Sequence, residues 1–172
     1  TPVSSGTRRR LAPALLLALP LLLTACGGGK AVRSAPPPPA ASWPSTTPDN
    51  PEAANAVLMR AISLVGTPYR YGGNTPESGF DCSGLIGYVY KSRAGVAPPR
   101  TVAQLSGFGQ PVSTRELRTG DLVIFGSGRP FHAGIYVGEG RFVHAPSTGG
   151  TVRLDRLDNR YWARQSTAFR RP

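Results

Sequence analysis

The sequence predicts one α+β domain, with helices packed on an antiparallel β-sheet, and three observations carry that prediction. Two stretches of helical periodicity come first, between Asn50 and Gly95. Short apolar runs of strand character follow, from Asp121 to Arg170, and this segregation of helix from strand is the order of an α+β fold. Residues 52–172 number 121, enough for a single core, and show no internal repeat.

Two segments of different character precede the domain. Residues 1–25 read as an export signal: Arg8-Arg9-Arg10, an apolar stretch from Leu11 to Leu23, then small residues. The stretch covers 13 residues and contains Pro13 and Pro20, whereas a membrane-spanning helix needs about 20. Leu23-Thr24-Ala25-Cys26 resembles the bacterial lipobox, which implies that Cys26 is lipidated and becomes the first residue of the mature chain. Residues 26–51 are rich in glycine, alanine, serine and proline, including Pro36 to Pro39, with Trp43 as the only aromatic. Such a segment buries too little apolar surface to offset its ordering entropy, and its prolines extend it. It reads as a disordered tether between a membrane-held lipid and the domain.

The formal net charge of +11 falls to +8 once the three arginines of the signal are set aside. The remaining arginines are scattered, without the clustering and interleaved aromatics of a nucleic-acid footprint, so no nucleic-acid partner is expected. A basic surface facing an anionic cell envelope is the more economical account.

Within the domain, Asn50 caps a first helix that has Pro51 at its first position and Glu52 beside it. Val57, Leu58, Ala61, Ile62 and Val65 give the 3.6-residue period, and Gly66 ends it. Asp81 is the expected N-cap of a second helix, whose apolar face holds Leu85, Ile86, Val89 and Tyr90 and which ends near Gly95. Cys82 falls in its first turn. With Cys26 acylated it has no disulfide partner in an oxidising compartment. Two readings stand. Cys82 is a small buried side chain, or it is a nucleophile whose thiol pKa the helix end and a histidine lower from about 8.5 towards roughly 3.5–7.5. The second predicts alkylation well below about pH 8.

Five strands are expected: residues 121–125, 132–137, 141–145 and, more weakly, 151–154 and 167–170. The chain's only two histidines lie on adjacent strands of one hairpin. If Gly138-Glu139-Gly140 is a three-residue turn, Val137 pairs with Arg141 and His144 faces Gly134, on the side of the sheet that carries His132. The imidazoles are then diagonal neighbours, about 7–8 Å apart between backbones, and a one-residue slip would separate them. His132 would act as general base and His144 as its orienter. Alternatively each is an ordinary core or surface histidine. A Cys-His-His zinc site lacks a fourth ligand and any short C-x₂-C spacing, so no metal or cofactor is expected.

Six blocks occur in order between Gly66 and Ala145: Gly66-Thr67-Pro68-Tyr69-Arg70-Tyr71-Gly72-Gly73, Phe80-Asp81-Cys82-Ser83-Gly84-Leu85, Pro99-Arg100-Thr101 with Gln104, Gly120-Asp121-Leu122-Val123-Ile124-Phe125, His132-Ala133-Gly134-Ile135-Tyr136-Val137-Gly138, and Phe142-Val143-His144-Ala145. Together they resemble the NlpC-type family of bacterial cell-wall cysteine peptidases, relatives of papain. The resemblance implies a papain-like α+β fold in which a nucleophile helix packs on an antiparallel sheet. It makes Cys82 the nucleophile, His132 the base and His144 the third, polar member. Tyr69 matches a tyrosine held to assist at the oxyanion beside the cysteine N–H; it reads otherwise as a packed aromatic. Asp81 would cap and orient, and Arg100 and Gln104 would either line the substrate groove or hold a loop.

The implied reaction is amide hydrolysis in peptidoglycan stem peptides through a thioacyl-enzyme, either between γ-D-glutamyl and the diamino acid or at the D-alanine to diaminopimelate cross-link. The lipid on Cys26 would supply targeting to a membrane by effective concentration, and a regulator is expected to restrain a lytic enzyme. In a cell with two membranes, Gly27 after Cys26 resembles sorting to the outer membrane, facing the periplasm. A thiol acyltransferase or amidase acting elsewhere and a non-catalytic wall-binding lipoprotein are the competing classes.

Overall fold

The computed structural model describes residues 42–43 and 46–172. The export signal and Cys26 lie outside the described residues, as does most of the tether.

The helix α1, Pro51–Ser63, begins where the capping chemistry places it: the Asn50 side chain accepts from the Ala53 N–H at 3.0 Å and proline occupies the first turn. It buries Val57 and Ala61. A two-stranded hairpin follows, β1 at Asn74–Thr75 and β2 at Gly79–Phe80, too short to leave a period in the sequence. The helix α2, Cys82–Arg93, is capped by Asp81 and buries Leu85, Ile86, Val89 and Tyr90. A single turn, α3 at Val102–Leu105, is capped by Thr101.

Six strands complete the chain: β3 Gln110–Val112, β4 Leu122–Phe125, β5 His132–Gly138, β6 Arg141–His144, β7 Arg153–Arg156 and β8 Thr167–Arg171. They form one sheet in the order β3-β8-β4-β5-β6-β7, and every neighbouring pair is antiparallel. Alternation divides it into two faces. Leu122, Ile124, Ala133, Ile135, Val137 and Val143 pack with Val57, Ala61, Leu85, Ile86 and Val89 of the helices. Val123, Phe125, Tyr136, Phe142 and Phe169 form a second cluster with Leu117, Leu157 and Trp162. Because both faces are covered, β4 reads as the continuous apolar run Leu-Val-Ile-Phe. The chain is therefore α+β, a few helices on an antiparallel sheet.

Three expectations change in detail. The hairpin register holds at Ile135 opposite Val143 and Tyr136 opposite Phe142, but the strand then shifts so that Gly138 pairs with Arg141. The turn thus has two residues, Glu139 and Gly140, at φ 50° and 69°. Positive φ at both positions is what a type I′ turn requires, and its twist matches the strands. The bulge absorbs the extra residue, and the histidine register survives.

The strand expected at 151–154 forms at Arg153–Arg156 instead. Val152 is tied to the turn after α1, donating its N–H to the Thr67 carbonyl at 2.7 Å and accepting from the Gly66 N–H at 2.8 Å, so the ladder starts only at Arg153. The tether expected to reach Pro51 meets the domain already at Trp43, whose ring lies 6.5 Å from that of Tyr136. Thr46 donates to the Arg115 carbonyl and Asp49 pairs with Arg118. Composition averages over a segment, whereas one indole buries enough area to hold its neighbours.

Candidate active site

Cys82 owes its position to the residue before it. Asp81 Oδ1 accepts from the Gly84 N–H at 2.6 Å and from Ser83 Oγ at 2.9 Å, while Oδ2 accepts from the Gly72 N–H at 2.9 Å. Arg100 pairs with the same carboxylate at 3.2 Å and donates to the Gly72 carbonyl at 3.2 Å. One carboxylate thus joins the start of α2, the loop before β1 and the segment before α3. Gly84 makes this close approach feasible, since a methyl group there would lie 2.0 Å from the Gly73 carbonyl oxygen.

Of the residues offered as substrate contacts, Asp81 and Arg100 are therefore bound into the helix cap. Arg100 also borders a cavity of about 640 Å³ with Asn74, Thr75, Tyr88 and Lys91. The Gln104 Oε1 accepts from Thr101 Oγ1 at 2.9 Å, a reciprocal cap on α3.

The Cys82 thiol is pushed above its ordinary value, chiefly by burial and then by the Asp81 carboxylate. The N–H groups of Ala133, Ser83 and Cys82 itself act in the opposite direction without cancelling these effects. This overturns the expectation of a low thiol pKa. The capping carboxylate occupies the same positive helix end that would have stabilised a thiolate. Tyr69 is held above the ordinary phenol value by burial and next by the charge of Cys82, and its backbone bridges Phe80, two residues before the cysteine.

The Ala133 N–H that faces the sulfur is on β5, one residue after His132. His132 Nε2 lies 2.8 Å from His144 Nδ1, so the two imidazoles meet on one face as the register predicts. Trp162 stacks on His132 at 5.3 Å and 22°, and meets His144 edge-on at 5.2 Å and 86°. Phe125 flanks His132 on the same sheet face at 6.1 Å. Burial dominates the titration of both rings: it drives His132 down to about 3, helped by the His144 charge, and His144 down to about 4 against the opposing pull of Asp155. Both are neutral at physiological pH.

The geometry therefore gathers Cys82, Tyr69, His132 and His144 around the start of α2 and the start of β5. It also adds Asp155, whose Oδ2 lies 3.0 Å from His144 Nε2, and Trp162. The signal for Asp155 lies in the pairing of β6 with β7. Arg153 opposes His144, and a residue two further along the strand is its diagonal neighbour on the same face. A strand that ends at Leu154 hides it.

Such an arrangement offers a protonated thiol, a neutral imidazole to take its proton, and backbone N–H groups at a helix end where negative charge develops. Residues 66–171 match the NlpC/P60 family model. The murein DD-endopeptidase MepH of Escherichia coli (strain K12) is 38% identical over 125 residues, covering 70% of this chain and 46% of the relative. The bifunctional muramidase/DL-endopeptidase CwlT of Bacillus subtilis (strain 168) is 38% identical over 119 residues, covering 67% of this chain and 35% of the relative. The chain thus spans under half the length of these curated relatives. Among solved structures, the NlpC/p60 domain of the peptidoglycan hydrolase SagA superposes with a TM-score of 0.60 at 33% identity, over 67% of this chain and 96% of that one. With its thiol, its paired imidazoles and its sheet in these positions, the chain belongs to the NlpC/P60 family.

Proposed function

We propose that the protein is a cysteine peptidase that hydrolyses an amide bond in peptidoglycan stem peptides or their cross-links. The observation that carries this reading is a half-buried thiol at a helix start, faced by the Ala133 N–H that follows a neutral His132, itself bonded to His144. Family membership supports the same chemistry.

At rest the sulfur holds its proton. When a substrate carbonyl arrives, the sulfur attacks carbon and the thiol proton passes to His132, so that no charged pair need exist beforehand. The developing oxyanion is met by the Cys82 N–H and the Tyr69 hydroxyl. The C–N bond then breaks, His132 returns the proton to the departing amine, and a thioester remains. Water, deprotonated by His132, hydrolyses that thioester and restores the thiol. His144 holds the His132 ring through the 2.8 Å bond.

The bond cut is one of two, between γ-D-glutamyl and the diamino acid or between D-alanine and diaminopimelate, and relatives named for DD- and DL-cleavage support both. Cys26 is proposed as the lipidation site, with the tether reaching from a membrane in the cell envelope, the outer membrane where two exist. Digestion of purified peptidoglycan by the full chain and its Cys82→Ala variant, read by muropeptide mass spectrometry, tests the reading. Loss of cleavage in the variant supports it, and equal cleavage by both contradicts it.

A further inference from the structure

We propose that Asp155 is a positioning residue for this chemistry: its carboxylate sets the tautomer of His144 and, through that ring, the tautomer of His132. The inference rests on the peptidase reading for its catalytic consequence and on geometry for the rest.

One oxygen of Asp155 accepts from four donors. Oδ2 lies 3.0 Å from His144 Nε2, 2.9 Å from Trp162 Nε1, and 3.2 and 3.0 Å from Arg153 Nε and Nη2. Burial opposes ionisation, but the Trp162 bond, His144 and Arg153 together hold this carboxyl below the usual carboxylate range. It is therefore an acceptor, and the nitrogen facing it must carry a proton. A neutral His144 protonated at Nε2 has a bare Nδ1. That atom faces His132 Nε2 at 2.8 Å, so His132 must donate there. His132, also neutral, is then left with a bare Nδ1, the only ring atom able to take a proton from a thiol.

Without the anion the relay has a second solution. His144 protonated at Nδ1 would donate to His132 Nε2, His132 would carry its proton on Nδ1, and no lone pair would meet the sulfur. Among the described residues, nothing else in contact with the two rings chooses between these states. Trp162 offers only its face and edge to the imidazoles and gives its N–H to Asp155, while Arg153 pairs with the carboxylate. The order along the chain of contacts is carboxylate, His144, His132, thiol. It extends the orienting logic of a catalytic triad by one ring.

Ring-nitrogen NMR of the full chain, with Asp155→Asn and Asp155→Ala beside the parent, reads the tautomers directly and independently of turnover. The parent should show both rings neutral with the proton on Nε2, and the variants should move proton density to Nδ1. Turnover of wall peptides should fall about 10- to 100-fold with KM within about 2-fold, less than the ~10⁴-fold loss when the orienter of the base itself is inverted. Asp155→Glu should restore part of it. A Trp162→Phe control removes one donor but keeps the carboxylate, and its tautomers should match the parent. Unchanged tautomers in both Asp155 variants overturn the proposal, even if melting temperature and turnover fall, because Asp155 would then only anchor Trp162 and Arg153. If the parent cuts no wall peptide, the peptidase reading fails, and the tautomer shift alone decides what Asp155 does.

Discussion

The Nε2 of His132 and the Nδ1 of His144 are 2.8 Å apart, although the residues are twelve positions apart in the chain and His144 is completely buried. That bond assigns unequal roles. His132 is beside the β5 backbone that faces the sulfur, whereas His144 reaches the chemistry only through its neighbour. His132→Ala should lower turnover by about 10³- to 10⁴-fold, the upper range for a lost general base. His144→Ala should cost less, because water can partly replace an orienting partner. Steady-state kinetics on a stem-peptide substrate checks the order, and a His144→Ala loss exceeding that of His132→Ala would reverse the assignment.

The thiol offers a second test. Burial and the Asp81 charge raise its pKa, so the rate of iodoacetamide alkylation should have its midpoint above the free-thiol value of about 8.5. Asp81→Asn keeps a competent helix cap and removes the charge, so its midpoint should move down. A parent midpoint below about 7.5, in the activated range, would mean that the helix end and the N–H groups outweigh burial and the carboxylate.

The histidines make stability depend on pH with a definite sign. Both have folded-state values far below the usual one, near 3 and 4, so the unfolded chain binds protons that the folded chain refuses. Stability is unaffected above the unfolded value of about 6.5 and declines as pH falls from there towards the folded values. Melting temperature should drop between about pH 6.5 and 4.5, and a His144→Gln variant should show a shallower decline. Parallel profiles for the two proteins would exclude His144 as a source.

Trp43 predicts an effect outside the site. Its ring packs against Tyr136 and fits over Gly140, where a side chain would collide with it. Trp43→Ala should cost about 1–3 kcal/mol in chemical denaturation while leaving turnover within about 2-fold. No measurable loss would mean that the segment before α1 does not bind the domain in solution.

How much of the molecule is legible in its sequence depends on the length scale of each signal. Helix caps are local, and Asn50 and Asp81 stand where their neighbours place them. The histidine pairing needs only a register, and the pairs Ile135–Val143 and Tyr136–Phe142 survive the bulge at Val137. The two-residue strands β1 and β2 carry no period and leave no trace in the pattern. Asp155 escapes a strand-by-strand reading because β7 is displaced by the tie between Val152 and Thr67, a long-range contact. The elevated thiol value escapes it for a different reason: the residue that caps the helix also brings a charge to its end.

The proposed mechanism turns on a protonated Cys82 that neutral His132 activates to cut a wall peptide. The decisive experiment is mass spectrometry of muropeptides after incubation of purified peptidoglycan with the full chain, Cys82→Ala and His132→Ala. The parent should release new stem-peptide fragments, whose masses identify the bond, whereas Cys82→Ala should release none and His132→Ala only a trace. Fragments of the same mass and yield from the Cys82→Ala protein would refute the mechanism.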